Sequence, residues 1–499
     1  MSVNNQYTPV QTTVDNTQEE DDIGEDVAKK SVSDTMGAEE TCGSDSSNSK
    51  TFLYLTACIA NLASFTCGIA LGWTSPVLPQ LSGNFTVLPE PLTTDQSSWI
   101  GSLLPVGASL GPFLAGYLAD KLGRKKTILI STAPFLVAFI LFGLASSVYE
   151  FYIGRFLCGV GSGGLFTVLP MYMGEIAEDS VRGALGSLMQ LFITLGILFS
   201  FSIGPYTTIS VFSMVCVIIP SIFFVVFIVF SPDSPYFLIS VNKNNEAETA
   251  LMKLRSKKNV TKELEVMIGN IAESKASNAT FMDIFKTNVL RKALILSVGL
   301  VAFQQLSGIN VILFYTETIF DATGSSIPSD ISTILVGLVQ VSFSGITPLL
   351  VDRKGKRFLL IFSGIGMALS QFALGYYFQR IETKLSTDSI FWLPVLCLIL
   401  YNATYCMGFG PLPWAVMGEL FPPNVKSAAS TVTASGCWIL AFVITRYFKN
   451  VSDLVGIGIS FYMFGGFCII AATFVYKLLP ETSGKSLNEV QALLEGKAK

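Results

Sequence analysis

The chain has 499 residues, of which 51% are hydrophobic, 12% are aromatic and only 14% are charged. Soluble globular chains carry about a quarter charged residues, so this composition excludes an ordinary soluble protein and indicates a single membrane domain. The formal net charge is −4 and histidine is absent, which excludes histidine metal sites, histidine catalytic triads and histidine proton relays.

The first fifty residues form a polar segment with a cluster of acidic side chains among Ser, Thr and Asn: Glu19, Glu20, Asp21, Asp22, Glu25 and Asp26. A segment of this composition buries too little apolar surface to offset the entropy of folding. We therefore predict that residues 1–50 are a disordered cytoplasmic tail.

Twelve apolar stretches follow, each close to the roughly 20 residues with which a helix crosses a bilayer core of ~30 Å. They lie near residues 52–76, 99–118, 127–147, 151–172, 184–201, 210–230, 293–320, 331–351, 358–378, 391–416, 428–445 and 454–476. No small-residue cleavage pattern ends the first stretch, which is therefore predicted to remain as a span. The expected fold is an all-α membrane protein with twelve transmembrane helices.

Lys and Arg are concentrated in every second loop, and cytoplasmic loops are the ones that retain such residues in excess. The loop over residues 77–98, by contrast, contains no Lys or Arg. Both termini are therefore predicted to be cytoplasmic. The loop over 77–98 is then the first outer loop, and its Asn84, in an Asn-x-Thr sequence, is the expected glycosylation acceptor.

Internal repetition divides the chain into two halves. Three short motifs occur twice, at offsets of 244, 232 and 248 residues: Met173-Gly174-Glu175 and Met417-Gly418-Glu419, Asp120-x-x-Gly123-Arg124 and Asp352-x-x-Gly355-Lys356, and Pro232-Asp233-Ser234 and Pro480-Glu481-Thr482. Each copy follows the equivalent span, which indicates six spans duplicated into twelve with a site between the halves. We predict a six-helix half over 51–230, a cytoplasmic linker with short helices over 231–290, a second half over 291–476 and a cytoplasmic tail over 477–499.

At the level of motifs, the sequence resembles the sugar porter family of the major facilitator superfamily. The resemblance covers everything from residue 51 onward and rests on five motifs in order: Gly116-x-x-x-Asp120-x-x-Gly123-Arg124-Lys125, Arg155-x-x-x-Gly159-x-Gly161 with Pro170-x-Tyr172-x-x-Glu175, Gln304-Gln305-Leu306-Ser307-Gly308-Ile309-Asn310, Gly408-x-Gly410-Pro411-x-Pro413-Trp414, and Pro480-Glu481-Thr482-x-Gly484-Lys485. Within the family, the likeness is to insect facilitated trehalose or glucose transporters and to animal hexose transporters. It implies the major facilitator fold with two pseudo-symmetric halves.

Three amides, Gln304, Gln305 and Asn310, fall within seven residues of an otherwise apolar span. Each costs about 1–3 kcal/mol if it is buried without a partner, and sugar hydroxyls both donate to and accept from amides. The resemblance implies that these three bind sugar, together with Gln190 of span 5 and with Trp414 as an aromatic surface. Trp438 and Gln340 are further candidates. Hydrogen bonding between helices is the alternative role for the amides, and packing is the alternative for Trp438.

Charged residues recur at the cytoplasmic ends of both halves. The resemblance implies that they form an ion-paired gate on the cytoplasmic side: Asp120, Arg124, Glu175 and Arg182 in the first half, and Asp352, Arg353, Glu419 and Lys426 in the second. The alternative is that these charges only set the membrane topology.

These features predict a facilitative carrier of a small neutral sugar, hexose or trehalose, that works by alternating access without a cofactor or metal. The alternatives are a proton-coupled symporter and a sugar sensor of the same fold; an enzyme or a nucleic-acid partner is not expected. The expected setting is the lipid bilayer of the plasma membrane, or else of endosomes or lysosomes, and the expected working unit is a monomer.

Several departures from the family pattern bear on proton coupling. Related symporters place an aspartate in span 1, whereas this chain has Ala70 at or next to that position. Arg155 is then expected to pair with Glu150 or to reach the surface, and Glu317 to be solvated. Cys406 stands where many hexose transporters have a glutamate.

Overall fold

The structure, a computed structural model, describes residues 50–83, 87–178, 181–257, 259–276, 287–323, 328–421, 423–483, 485 and 487–495. Every regular element within these ranges is helical. Twelve helical segments are long and apolar enough to cross a membrane, which confirms the predicted all-α membrane fold. The predicted disordered tail and the glycosylation site Asn84 lie outside the described residues.

The spans have the following bounds: Thr51–Ser82, Thr94–Leu122, Arg124–Gly143, Val148–Ile176, Leu185–Tyr206, Ile209–Phe230, Asn288–Phe314, Ser329–Val351, Lys356–Glu382, Asp388–Leu420, Ala428–Val455 and Ile457–Leu478. They are numbered 1 to 12 below. Most are longer than the predicted stretches because polar capping turns extend a helix past its apolar part. Span 2, for example, starts in a capping box. The backbone N–H of Gln96 donates to the Thr93 hydroxyl at 3.2 Å, and the backbone N–H of Thr93 donates to the side-chain oxygen of Gln96 at 2.9 Å.

Span 1 comprises helices Thr51–Gly72 and Thr74–Ser82, and two further spans are broken. Span 10 consists of helices Leu393–Met407 and Leu412–Leu420, as its Gly-Pro-x-Pro sequence predicted. Span 7 begins with helix Asn288–Leu306 and continues in helix Ile309–Thr323, which extends past Phe314; we did not predict the break between them. It occurs at Gly308, whose φ of +81° is a left-handed conformation that glycine adopts without steric cost.

The packing of spans repeats between the halves. Spans 1, 2 and 3 pack against spans 5, 4 and 6, and in the second half spans 7, 8 and 9 pack against spans 11, 10 and 12 in the same way. The halves meet through spans 2 and 11 and through spans 5 and 8, which again form a symmetric set. The two pseudo-symmetric six-helix halves of the predicted fold are therefore present.

Small residues let the spans approach closely. A Cβ added at Gly159 of span 4 would lie 2.1 Å from the carbonyl oxygen of Leu104 in span 2. One added at Gly161 would lie 2.5 Å from the ring of Phe135 in span 3. The glycine series of span 4 is thus a helix-packing surface between spans 2 and 3.

Short helices gather at the predicted cytoplasmic end. Helices Pro235–Ser240, Asn244–Arg255 and Thr261–Ala276 lie between spans 6 and 7 and share an apolar cluster. Arg255 joins them to span 4, since its guanidinium donates to the carbonyl oxygen of Ile176 at 2.8 Å. After span 12, the helix Leu487–Glu495 is joined to span 7 by the Lys292 ammonium, which donates to the carbonyl oxygen of Leu494 at 3.0 Å.

Candidate functional site

One cavity lies where the halves meet, and all seven predicted sugar-binding residues line it. Its empty space, including the part open to solvent, is about 610 Å³. The predicted residues in its wall are Gln190, Gln304, Gln305, Asn310, Gln340, Trp414 and Trp438, and the others are Leu71, Phe166, Ile193, Thr194, Ile197, Ile309, Leu313, Tyr405, Cys406, Gly410 and Cys437. No Asp, Glu, Lys or Arg of the described chain is in this wall.

The first amide, Gln304, connects the two broken spans. Its side-chain N–H groups donate to the carbonyl oxygens of Phe409 and Gly410, at 2.6 and 2.9 Å. Those carbonyls lie in the break of span 10, where the helix itself supplies no donor. The geometry therefore gives Gln304 an interhelical role in addition to its place in the cavity wall.

The other two amides form a chain with a thiol. The Asn310 amide donates to the side-chain oxygen of Gln305 at 2.5 Å, and the Gln305 amide donates to Sγ of Cys437 at 3.1 Å. These bonds orient the Gln305 side chain at the cavity wall. An amide oxygen can accept, and each amide nitrogen can donate a second hydrogen bond, so both residues retain the capacity to bind a ligand.

Two buried polar atoms of the wall have no hydrogen-bond partner among the described residues. They are the side-chain oxygen of Gln340 and Nε1 of Trp438, in residues that are 2% and 4% exposed. The amide nitrogen of Gln340 donates to the side chain of Asn402 at 2.5 Å, which fixes its orientation. An unpaired acceptor and an unpaired donor in one cavity are suited to a ligand that carries hydroxyl groups.

Aromatic rings complete the wall. Phe166 of span 4 lies 5.5 Å from Trp414 of span 10 and 5.5 Å from Trp438 of span 11, as measured between ring centroids. Sequence reasoning missed Phe166, Tyr405 and Cys437. For two of them the sequence offered a signal in their position, since Tyr405 precedes the Gly-Pro break and Cys437 precedes Trp438, both of which were predicted to lie at the site.

Replacing Asn310 by alanine is expected to weaken sugar affinity several-fold, because each lost hydroxyl contact contributes about 1 kcal/mol. Expression should stay near normal, and half-saturation of uptake is the measurement. Gln304→Ala is expected to lower protein yield as well, since two carbonyls in the break of span 10 lose their donors. Asn61→Ala, which removes a buried amide of span 1 outside the cavity, is the control. An unchanged half-saturation for Asn310→Ala would show that this amide is structural.

A charged cluster lies at the predicted cytoplasmic end of the first half. The guanidinium of Arg124 lies 2.9 Å from a carboxylate oxygen of Glu175, and the other oxygen of Glu175 accepts from the Ser234 hydroxyl. Asp233 accepts from the backbone N–H of Lys125 at 3.4 Å, at the start of span 3. The paired side chains of Arg124 and Glu175 are largely buried.

The second half repeats this cluster with different residues. The Lys356 ammonium pairs with the carboxylate of Glu419. Glu481 accepts from the backbone N–H groups of Lys356 and Arg357, at 3.0 and 3.1 Å, and so caps span 9. Asp233 and Glu481 are the repeat counterparts found in the sequence, but we did not predict their capping role.

The predicted gate residues thus differ in what the structure places around them. Arg124 with Glu175, and Glu419 with Lys356, form pairs within one half. Asp120 is 3.8 Å from Arg124 but its side chain is 70% exposed, and Arg353 is exposed. The side chains of Arg182, Asp352 and Lys426 lie outside the described residues.

If these clusters form a gate, Glu175→Ala and Glu419→Ala should destabilise closure of the cytoplasmic side and shift the resting population toward inward-open. A cysteine introduced at Leu313, in the outer part of the cavity wall, reports the shift. Its labelling by an impermeant maleimide from outside should fall several-fold. Glu246→Ala removes an exposed ion pair with Lys243 and is the control. Equal labelling in all variants would favour the topology alternative.

The carboxyl group of Glu481 makes stability depend on pH. Burial alone would raise the pKa of Glu481. Hydrogen bonds from Ser483 and from the backbone N–H groups of Arg357 and Lys356 lower the pKa by more than burial raises it, so the net pKa is below the ordinary value. A lowered pKa stabilises the folded protein above the unfolded-state pKa of about 4.3, and this stabilisation is lost as pH falls through the folded-state pKa.

We therefore expect Glu481→Gln to lower the midpoint of thermal unfolding in detergent at neutral pH, because a weakened helix cap lowers the free energy of unfolding by about 1 kcal/mol. The difference from the unaltered protein should shrink as the pH falls below about 4. Asp453→Asn, which alters an exposed carboxylate paired with Lys449, is the control. A difference that is the same at all pH values would contradict the role of the ionised carboxylate.

At the predicted outer end, an ion pair joins the two halves. The guanidinium of Arg446 in span 11 lies 2.5 Å from the carboxylate of Asp95 in span 2 and 4.8 Å from the centroid of the Trp99 ring. The Ser98 hydroxyl donates to the carbonyl oxygen of Arg446 at 2.7 Å. These contacts connect the halves on the side opposite to the charged clusters.

The predicted fate of Arg155 was wrong. Its side chain is fully buried, and its guanidinium donates to the carbonyl oxygens of Ala70 and Ile100, at 2.5 and 3.0 Å. Glu150 instead accepts from the backbone N–H of Ser147 at 2.6 Å, as the cap of its own helix. Helix capping holds the carboxylate at the helix start, so it does not reach one full turn inward to Arg155.

Glu317 was expected to be solvated but is half-buried. Its backbone N–H donates to the hydroxyl of Ser75 at 3.2 Å, so span 7 contacts the second helix of span 1 there. The two halves are therefore in contact beside this residue.

Sequence comparison identifies relatives over most of the chain. Facilitated trehalose transporter Tret1 of Bombyx mori is 34% identical over 454 residues, which cover 90% of this chain and 88% of that protein. Tret1 of Culex quinquefasciatus is 35% identical and covers 89% and 86%. The chain spans about half the length of the Drosophila Tret1 proteins that it matches, 52% for Drosophila mojavensis.

Solved structures share the fold. The proton:xylose symporter XylE bound to 6-bromo-6-deoxy-D-glucose has a TM-score of 0.74 and 25% identity, and the match covers 90% of this chain and 100% of that one. Partially occluded inward-open XylE from E. coli, at 23% identity, has a TM-score of 0.71 over 87% of this chain and 100% of that one. The family profile described as "Sugar (and other) transporter" matches residues 38–494, and the chain therefore belongs to the sugar transporter family of multi-pass membrane proteins.

Proposed function

We propose that this protein is a facilitative carrier of a small neutral sugar, a hexose or trehalose, that works by alternating access. The observation that carries the proposal is the central cavity, in which amides from both halves meet two indoles of the second half, without a carboxylate or a base among the described lining residues. Amides match hydroxyl groups and indoles match the apolar faces of a sugar ring. The halves over 51–230 and 291–476 would move about this site, joined by the linker over 231–290.

Relatives of two transport modes make the coupling a separate question. The insect relatives are called facilitated transporters, whereas the structural neighbour XylE is called a proton symporter. Uniport is supported here by the cavity wall, in which the described lining residues include no Asp, Glu, Lys or Arg. Proton-coupled symport is the second candidate, and the half-buried Glu317 is the group that favours it.

Uptake of labelled glucose and of labelled trehalose into a host that lacks its own sugar transport tests the proposal and ranks the two substrates. We expect saturable uptake of at least one sugar, and sugar-dependent competition by the unlabelled form. A correctly delivered protein that takes up neither sugar would overturn the carrier function and favour the sensor. Localisation of the tagged chain would test the plasma membrane against endosomal and lysosomal membranes.

A further inference from the structure

Two thiols stand in the cavity wall among groups that hydrogen-bond strongly. Cys406 of span 10 and Cys437 of span 11 both line the cavity, each is 1% exposed, and neither is in a disulfide. A thiol is a weak donor and its sulfur is a weak acceptor. A ligand hydroxyl that faces either thiol therefore gives up water without gaining an equivalent partner.

The hydrogen-bond pattern shows what Cys437 contributes. Its sulfur receives the amide N–H of Gln305 at 3.1 Å, and the oxygen of that same amide receives the N–H of Asn310. The thiol therefore positions an amide and offers a ligand little beyond dispersion contact. The backbone carbonyl oxygen of Cys406 already accepts from the Thr347 hydroxyl at 3.0 Å. The group that Cys406 presents to a ligand is therefore its thiol.

Strong hydrogen-bonding groups are present elsewhere in the same wall. Nε1 of Trp438 and the side-chain oxygen of Gln340 have no partner within the described part of the chain, and Gln190 is a further amide. Hydroxyl groups of a bound sugar are best placed at these positions. The part of the sugar ring that contacts the sulfur atoms should carry only C–H groups, because no hydroxyl then loses its hydrogen bonds there.

We propose that Cys406 and Cys437 are specificity-determining residues, and that the cavity favours a sugar without a hydroxyl at the wall formed by these two thiols. The preferred chemical class is then a deoxy sugar, or a sugar unit bound so that an unsubstituted edge faces spans 10 and 11. This inference rests on the proposed function and names the substrate class of the same site. Removing the hydroxyl that faces the thiols should leave affinity unchanged or raise it several-fold, whereas removing any other hydroxyl should lower it.

The test is competition against uptake of labelled D-glucose by the full chain, with the five monodeoxyglucoses as competitors. At one ring position the deoxy sugar should bind at least as tightly as glucose. Cys437→Ser puts a hydroxyl in place of the thiol. It should raise the affinity for glucose several-fold relative to that one deoxy sugar, and leave the preference for glucose over the other four deoxy sugars unchanged. Cys397→Ser, a buried thiol of span 10 outside the cavity wall, is the matched control and should keep the original ratios.

Cys406→Ala removes a thiol that does not position Gln305, adds no hydrogen-bonding group and should keep the preference for the deoxy sugar. The inference is overturned if all five deoxy sugars bind several-fold more weakly than glucose to the unaltered protein. It is also overturned if Cys406→Ala changes the ratios as much as Cys437→Ser does. A delivered protein without any sugar uptake would instead overturn the proposed function on which the inference rests.

Discussion

In proteoliposomes, the purified protein is expected to bring labelled sugar to equal concentrations on both sides, whether or not a pH gradient is imposed. A gradient of about one pH unit is worth about 1.4 kcal/mol, which would drive about tenfold accumulation if one proton moved with each sugar. Proton coupling requires an ionisable group in the bundle whose protonation is linked to sugar binding, and such groups are rare because charge in the membrane is costly.

The described residues that line the cavity include no such carboxylate. Final ratios of internal to external sugar are the measurement, with protein-free liposomes as the control for leak. Exchange of labelled for unlabelled sugar shows that the carrier is active. Accumulation that collapses on addition of a protonophore would contradict uniport, and Glu317→Gln would then be expected to abolish it.

Replacing Arg446 by alanine is expected to shift the resting population toward outward-open by about tenfold. Arg446 joins the halves at the outer end through Asp95 and the Trp99 ring, so its loss removes contacts that hold the two halves together at that end. The ion pair alone contributes little, because the Asp95 side chain is 66% exposed. The stacked guanidinium and its buried stem add to it.

Labelling of the cysteine at Leu313 from outside should rise in Arg446→Ala, opposite in sign to the expected effect of Glu175→Ala. Asp95→Asn should produce a smaller rise, because the stacking on Trp99 remains. Lys449→Ala removes an ion pair with Asp453 at the same end but within span 11, and it is the control. If Arg446→Ala labels like Lys449→Ala, these contacts do not control opening of the outer end.

Much of the fold could be predicted because a bilayer imposes strong rules on sequence. Apolar runs gave all twelve spans, since an unpaired backbone in lipid is so costly that each run must become a helix. The break of span 10 was predicted from Pro411 and Pro413, because proline lacks the N–H that a helix needs. The break at Gly308 was not, since glycine only permits a left-handed conformation and tertiary packing decides whether it is used.

The candidate site divides in the same way. Chemistry along the chain was sufficient to select Gln304, Gln305 and Asn310, because three amides within an apolar span require partners. Only the tertiary structure decided what those partners are: the carbonyls of the span 10 break for Gln304, and Cys437, 132 residues away, for Gln305. Side chains in a wall built from seven spans are brought together by helix packing, and sequence spacing does not record it.

The charges show the same limit most clearly. The sequence by itself determined the doubled motifs and the end of the bundle at which they gather, because Lys and Arg are retained there during insertion. It did not determine the pairing, in which Lys356 binds Glu419 and Arg155 binds the carbonyl of Ala70. Pair choice depends on distances of a few ångströms between different helices, and only the packed structure sets those distances.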